Sequence, residues 1–370
     1  MSAPWPEELP QGFEFEQFTV LDCIWRGSAS SIYRAESAAT GIVALKVFDR
    51  AKSEAKADKR SAQRRSKSAR QTTVRHPNLA VVVAAGEWRE RAFVATEWLD
   101  GCDLEDYLDR WGAMSDDEVA ELGLHLISGL MALHHAGALH GDVKPSSIFL
   151  SNGVDGDVIP KLLLSDLPNF SGLASPVDST TRQVAVSTPA YLSPEAIRGR
   201  GVGAAADQYS VCAVLYECSV GHAPFEGESL LDLLRSMALG NIQAPRSLRP
   251  DLSEALEAAI LRGLQTDPAA RFESLRDLGR ALWPLVSERA REPWARSFGD
   301  AAGAVESGAG RSPRLAAKKP STLFVLAASI ALSIGLGAVY FYSVRSGANN
   351  PPPPRDTDSS QSTSGLRVQY

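Results

Sequence analysis

Between residues 18 and 48 apolar and polar positions alternate, with β-branched and aromatic members in the runs Phe18-Thr-Val-Leu, Ile32-Tyr33 and Ile42-Val-Ala-Leu-Lys-Val-Phe48. A period of two turns one side of each run toward a core, and predicts three antiparallel strands with Thr40-Gly41 between the last two. Residues 51–75, rich in Ala, Lys, Arg and Gln, predict a helix. Residues 81–85 and 91–98 predict two further strands joined at Gly86-Glu87. Past Asp103 the period lengthens to a helical one over 103–112, 115–137, 204–221, 228–239, 252–264 and 274–287, with Gly, Pro and Asp in the loops. The predicted fold class is α+β, a small β-rich lobe followed by a larger helical lobe.

The C-terminal part has a different pattern. From Thr322 to Val344 the chain runs without a charge, long enough to span the ~30 Å hydrocarbon core of a bilayer as a helix. Arg311, Arg314, Lys318 and Lys319 precede this run and Arg345 and Arg355 follow it, while Tyr340, Phe341 and Tyr342 lie at its far end. The excess of positive charge before the span places residues 1–320 in the cytoplasm. The N-terminus carries no apolar secretory signal. The expected organisation is a leader (1–12), a folded unit (13–288, its lobes 13–98 and 99–288), a juxtamembrane linker (289–320), one transmembrane helix (321–344) and a disordered extracytoplasmic tail (345–370). Gly335 and Gly337 allow close helix approach and so a homodimer.

The formal net charge of −6 gives no case for nucleic acid as a partner of the chain as a whole. One stretch runs against it: ten Lys and Arg lie between Arg50 and Arg75, opposed by Glu54 and Asp58. It reads either as a solvated helix face or as a dock for an acidic partner or anionic lipid. The four cysteines, Cys23, Cys102, Cys212 and Cys218, lack metal-ligand spacing and suggest no disulfide framework.

Candidate chemistry lies at Lys46, which follows Val43-Ala-Leu, at Asp142 and Lys144 in His140-Gly-Asp-Val-Lys-Pro, and at Asp166 in Ser165-Asp-Leu-Pro. Phosphoryl transfer needs this kind of set: a cation at the phosphates, a carboxylate for metal, and a base. Singly, each aspartate reads as a turn residue or helix cap, the usual role of Asp. Together they stand in order with Thr96-Glu-Trp-Leu-Asp-Gly-Cys-Asp103, Ser187-Thr-Pro-Ala-Tyr-Leu-Ser-Pro-Glu195, Ala206-Asp207-Gln-Tyr-Ser, Leu215-Tyr-Glu, Gly221-His-Ala-Pro-Phe225 and Asp267-Pro-Ala-Ala-Arg-Phe272.

This series resembles the protein kinase superfamily over residues 13–285. Lys144 with Thr188 resembles the serine/threonine branch, and the Ser-Pro-Glu wording with a single span resembles bacterial receptor-type kinases of the eukaryotic-like class. The resemblance implies a bilobal protein kinase fold, ATP with Mg2+ or Mn2+ as cofactors, protein substrates, and a single-pass location in the inner cell membrane. It implies Asp142 as base, Lys144 as the cation at the transferring phosphate and Lys46 as the lysine that holds ATP. Gly27, Ile32, Ala44, Glu97, Leu99, Asp103 and Phe149 would surround the nucleotide, and Asp166 and Ser147 would face metal. Thr188, Glu195, Asp207 and Arg271 would shape the activation segment and catalytic loop.

Several positions depart from the family pattern. The phosphate loop reads Trp25-Arg-Gly27-Ser-Ala-Ser30, so only the middle glycine remains where backbone must approach phosphates closely. Lys67 stands where a glutamate would pair with Lys46, and two cations repel. Ser147 replaces a metal-binding asparagine, Leu167-Pro168 replaces Phe-Gly, and Gly141 replaces an arginine. Two functions follow as expectations: a serine/threonine kinase of low intrinsic rate, or a pseudokinase that binds nucleotide or partners without transfer.

Overall fold

In the computed structural model the described residues are 8–27, 30–48, 74–89, 91–153, 157–164, 188–199 and 203–299. The chain divides into two units, Met1–Ala316 and Ala317–Tyr370, and the described residues belong to the first. Residues 51–73 of the expected helix, the expected span at 321–344 and the tail lie outside them, while Val74 and Arg75 at the expected helix's end are described and not helical. Among the described residues no helix is long and apolar enough to cross a membrane.

The small lobe is a six-stranded antiparallel sheet. Its strands are β1 (Glu14–Phe15), β2 (Phe18–Arg26), β3 (Ser30–Ser37), β4 (Gly41–Phe48), β5 (Val82–Trp88) and β6 (Arg91–Glu97), in the order β1-β2-β3-β4-β6-β5. The alternation along the sequence sets its two faces. Phe18, Val20, Tyr33, Ala35, Val43, Leu45 and Val47 are buried in one cluster, where Phe15 and Phe93 meet edge to face at 5.3 Å. Burying each large member contributes roughly 1.5–3 kcal/mol. Ile32, Ala44 and Lys46 fall on the opposite, half-buried face, and Ile32 pairs with Lys46 across β3 and β4.

The larger lobe is built on helices α1 (Leu104–Trp111), α2 (Asp116–His135), α3 (Ala204–Val220), α4 (Leu230–Leu239), α5 (Glu254–Gly263) and α6 (Leu275–Leu282). α2 and α3 are apolar around most of their circumference and form its centre, as all-round hydrophobic helices do. α2 is started by Ser115, whose N–H donates to Glu118 Oε2 at 2.9 Å, and α3 is stopped by Gly221 at φ +89°.

A second sheet, β7 (Gly101–Asp103), β8 (Ile148–Asn152) and β9 (Val158–Leu162), joins the two lobes. Gly101 is needed there: its φ is +145°, and a Cβ would lie 2.0 Å from the carbonyl oxygen of Leu150. Leu162 of β9 accepts from Ala80 N at 2.9 Å and donates to Asn78 O at 2.9 Å, so the turn His76-Pro-Asn78 is pinned to the larger lobe. The short strands β7 and β8 escape the sequence reading, because three to five residues give too little alternation.

The C-terminal end of the fold also differs from expectation. The helix expected over 274–287 stops at Leu282, because Pro284 has no N–H to donate. Ordered structure then continues past 288 through short helices at Glu288–Arg291 and Ala295–Phe298. Trp294 and Phe298 are buried, and Arg276 Nη1 donates to Ser297 O at 2.6 Å. Two anchors in a polar stretch leave no periodic trace.

Candidate active site

The loop His140–Ser147 is shaped by a carboxylate far away in sequence. Asp207, on the first turn of α3 and 1% exposed, accepts the backbone N–H of His140 at 3.0 Å and of Gly141 at 2.8 Å. His134, at the end of α2, places Nε2 2.7 Å from the second oxygen of the pair. Burial pushes the Asp207 carboxyl up, but the hydrogen bonds from His134 and Gly141 and the nearby imidazoles outweigh it and hold it below the ordinary carboxylate value. His140 then extends the frame. Asp142 N donates to its Nδ1 at 3.3 Å, which leaves the proton on Nε2 to donate to Leu163 O at 3.2 Å.

Within this frame Asp142 and Lys144 form an ion pair, Nζ to Oδ2 at 2.7 Å, with side chains 22% and 17% exposed. A carboxylate acceptor and an ammonium thus meet at one partly exposed point. Ser147 ties the loop beneath them. Its hydroxyl lies 2.9 Å from the carbonyl oxygens of Asp142 and Lys144, and accepts from Lys144 N at 3.0 Å. Its own carbonyl accepts from Leu163 N at 2.8 Å.

The residues expected at the nucleotide lie on β3, β4, β6, β7 and β8 and on the segments between strands. Ile32, Ala44 and Lys46 share the half-buried face of the small-lobe sheet, with Lys46 Nζ 5.5 Å from the centre of the Phe48 ring. Glu97 ends β6, Leu99 follows it half-buried, and Asp103 pairs with Phe149 across β7 and β8. Asp103 also caps α1, accepting from Asp106 N at 2.8 Å, and burial pushes its carboxyl above the ordinary value. Lys161, opposite Phe149 on β9, forms an ion pair with Glu97 at 2.6 Å, and the same Glu97 oxygen accepts from Val81 N at 2.9 Å. At the phosphate loop Gly27 N donates to Ser30 O at 2.9 Å. The Trp25 indole lies directly over Gly27, where a Cβ would come within 2.1 Å of the ring.

The start of the larger lobe's helical core is fastened by Arg271, whose guanidinium grips Glu195 with two bonds of 2.7 and 2.8 Å. The Arg271 side chain is fully buried and also donates to Ala205 O and Gln265 O. Thr188 opens a single turn, Thr188–Tyr191, and Tyr191 donates to Glu217 Oε2 at 2.7 Å. Asp166, Lys67 and Leu167-Pro168 lie outside the described residues.

Sequence reasoning missed His134, Lys161 and Tyr191. Of these, His134 left a faint signal, a titratable residue in the last turn of a predicted helix shortly before the loop His140–Ser147.

No described group of three or more His, Cys, Asp or Glu side chains could hold a metal by itself.

A sequence profile of the protein kinase domain matches residues 18–282. The serine/threonine-protein kinase PknH of Mycobacterium bovis is 27% identical over 281 residues, 75% of this chain and 45% of PknH. The serine/threonine-protein kinase pkn3 of Myxococcus xanthus is 29% identical over 287 residues, 74% of this chain and 51% of pkn3. The match thus spans about half the length of these curated relatives. Among solved structures the PknI kinase domain of Mycobacterium tuberculosis superposes with a TM-score of 0.59 at 24% identity, covering 75% of this chain and all of that one. Its low identity speaks for the fold alone, whereas the profile covers most of the chain: this protein belongs to the protein kinase family.

Proposed function

We propose that this protein is a membrane-anchored serine/threonine protein kinase of low intrinsic rate, transferring the γ-phosphate of ATP to Ser and Thr hydroxyls of protein substrates. The observation that carries this reading is the Asp142–Lys144 pair at 2.7 Å, held on a loop that Asp207 fixes through two backbone amides. Asp142 accepts the proton of the acceptor hydroxyl, and Lys144 stabilises negative charge on the group in transit. Lys46 orients the phosphates from β4. Glu97 and Leu99 offer backbone groups to the adenine, Ile32, Ala44 and Phe149 enclose it, and Asp103 faces the ribose. ATP with Mg2+ supplies the phosphoryl group and the cation that cancels phosphate charge, with Asp166 as the metal carboxylate.

A low rate follows from the altered support. Gly27 stands alone among the phosphate-loop glycines, and Lys67 replaces the acidic partner of Lys46. Membrane anchoring rests on the uncharged run 322–344 and its positive flank. The basic stretch 50–75 would then lie within linker reach of anionic lipid.

The test is incubation of the full-length chain with ATP and Mg2+ or Mn2+ and a generic protein acceptor, with modified residues located by mass spectrometry. Phosphoserine or phosphothreonine that disappears in Lys46→Met supports the kinase reading. Nucleotide that raises the melting temperature without any transfer, under either metal, makes the pseudokinase reading the better one. Separately, cell fractionation should find the full chain in membranes and a chain ending at residue 320 outside them.

A further inference from the structure

Ser147 occupies the position from which protein kinases bind the second of two Mg2+ ions through an asparagine. An asparagine amide has two ends, so its N–H groups can hold the loop while its oxygen faces a cation. A serine has one oxygen for both tasks. In this structure that oxygen is committed to the loop: it lies 2.9 Å from the carbonyls of both Asp142 and Lys144 and accepts the Lys144 N–H at 3.0 Å. With one proton to donate, the hydroxyl is shared between the two carbonyls. The residue is fully buried, and its backbone N–H and carbonyl are bonded as well, to Lys144 O at 2.9 Å and Leu163 N at 2.8 Å.

The second lone pair of the oxygen is enclosed with the fully buried residue, so presenting it to a cation means turning the hydroxyl, which would break the bond that holds the Asp142 carbonyl and leave buried loop groups unpaired, a cost of about 1–3 kcal/mol for each. A neutral hydroxyl on so short an arm is also a poor sole ligand for a hard dication. Building on the kinase reading above, we propose that Ser147 is a positioning residue for Asp142 and that the phosphotransfer centre takes one divalent cation where an asparagine-bearing kinase takes two. The Asp142–Lys144 ion pair would then carry more of the charge compensation than it does in a two-metal site.

The test uses the full-length chain saturated with AMP-PNP and titrated with Mn2+, read by electron paramagnetic resonance. Two Mn2+ ions about 4 Å apart couple magnetically and give a spectrum distinct from that of a single ion. Wild type should bind one Mn2+ per chain with no coupled pair, and Ser147→Ala should leave that count unchanged while lowering kcat more than it raises KM for ATP. Ser147→Asn, where it folds, should acquire the coupled pair. A coupled pair in wild type overturns the proposal, as does a loss of bound Mn2+ in Ser147→Ala or a kcat that Ser147→Ala leaves intact. If wild type binds neither nucleotide nor Mn2+, the kinase reading itself falls and takes the one-metal proposal with it.

Discussion

The carboxylate of Asp207 accepts the backbone N–H of Gly141 at 2.8 Å, joining residues 66 positions apart. The loop His140–Ser147 therefore owes its shape to α3 as well as to its own residues, which include a left-handed glycine, Gly141 at φ +78°, beside the proposed base. An acceptor with two charged oxygens suits this site because three donors converge on it: His140 N, Gly141 N and His134 Nε2.

Asp207→Asn should test that dependence. The amide turns an N–H group toward at least one of these donors, so the loop loosens by about 1–3 kcal/mol. Since a displacement on the order of 1 Å can cost about a hundredfold in rate, kcat should fall at least about tenfold while KM for ATP stays within about twofold. Steady-state kinetics beside a melting curve measures both. A folded variant with unchanged kcat would remove Asp207 from the account.

The Arg271–Glu195 pair is a second long-range fastening, with its guanidinium fully buried. Glu195→Ala should lower stability by about 3–5 kcal/mol in urea unfolding, because a buried cation loses its partner. Replacing both, as Glu195→Leu with Arg271→Met, should restore most of the loss. Burial pushes the Glu195 carboxyl up, but its bonds to Arg271 outweigh this and hold it below the ordinary value. The pair's contribution is therefore present above the ordinary carboxylate range and is lost as pH falls through the lowered native value. Wild type should lose more stability on acidification than the double replacement, and equal acid sensitivity would count against the pair.

Glu121 has the opposite sign. It is buried on α2 with one carboxylate oxygen that has no hydrogen-bond partner among the described residues, and burial, with Asp117 and Glu118 nearby, pushes it from 4.5 to about 8. A native value above the unfolded one gives stability that is complete below about 4.5 and lost as pH rises to about 8. Glu121→Gln should therefore raise the melting temperature at pH 8 by roughly 3 °C or more and change it little at pH 5. A gain equal at both pH values would show that ionisation of Glu121 is not the cause.

These fastenings mark the boundary of what the sequence reveals. Alternation between Phe18 and Phe48 is strong because one face of each strand packs on Phe15 and Phe93 and the other does not. α2 and α3 announce themselves by length and apolar content. The positions of Asp142, Glu195, Asp207 and Arg271 could be named from motif order alone. The partners His134 and Lys161 could not: their bonds to Asp207 and Glu97 span 73 and 64 residues, and apart from the place of His134 in the last turn of a predicted helix neither leaves a local trace. Ser147 shows the same limit within a motif. Its letter suggests a weak metal ligand, whereas three hydrogen bonds around its hydroxyl tie it to the loop.

The central claim is that Asp142 serves phosphoryl transfer, and the most direct measurement is incorporation of radiolabelled phosphate from γ-labelled ATP by wild type and by Asp142→Asn. The amide keeps the shape of the side chain and removes its capacity to accept a proton. With Mg2+ or Mn2+, wild type should label an acceptor protein slowly and Asp142→Asn at least about a hundredfold more slowly, with nucleotide binding retained. Label that is equal in the two proteins, or absent from wild type under both metals, would contradict the account.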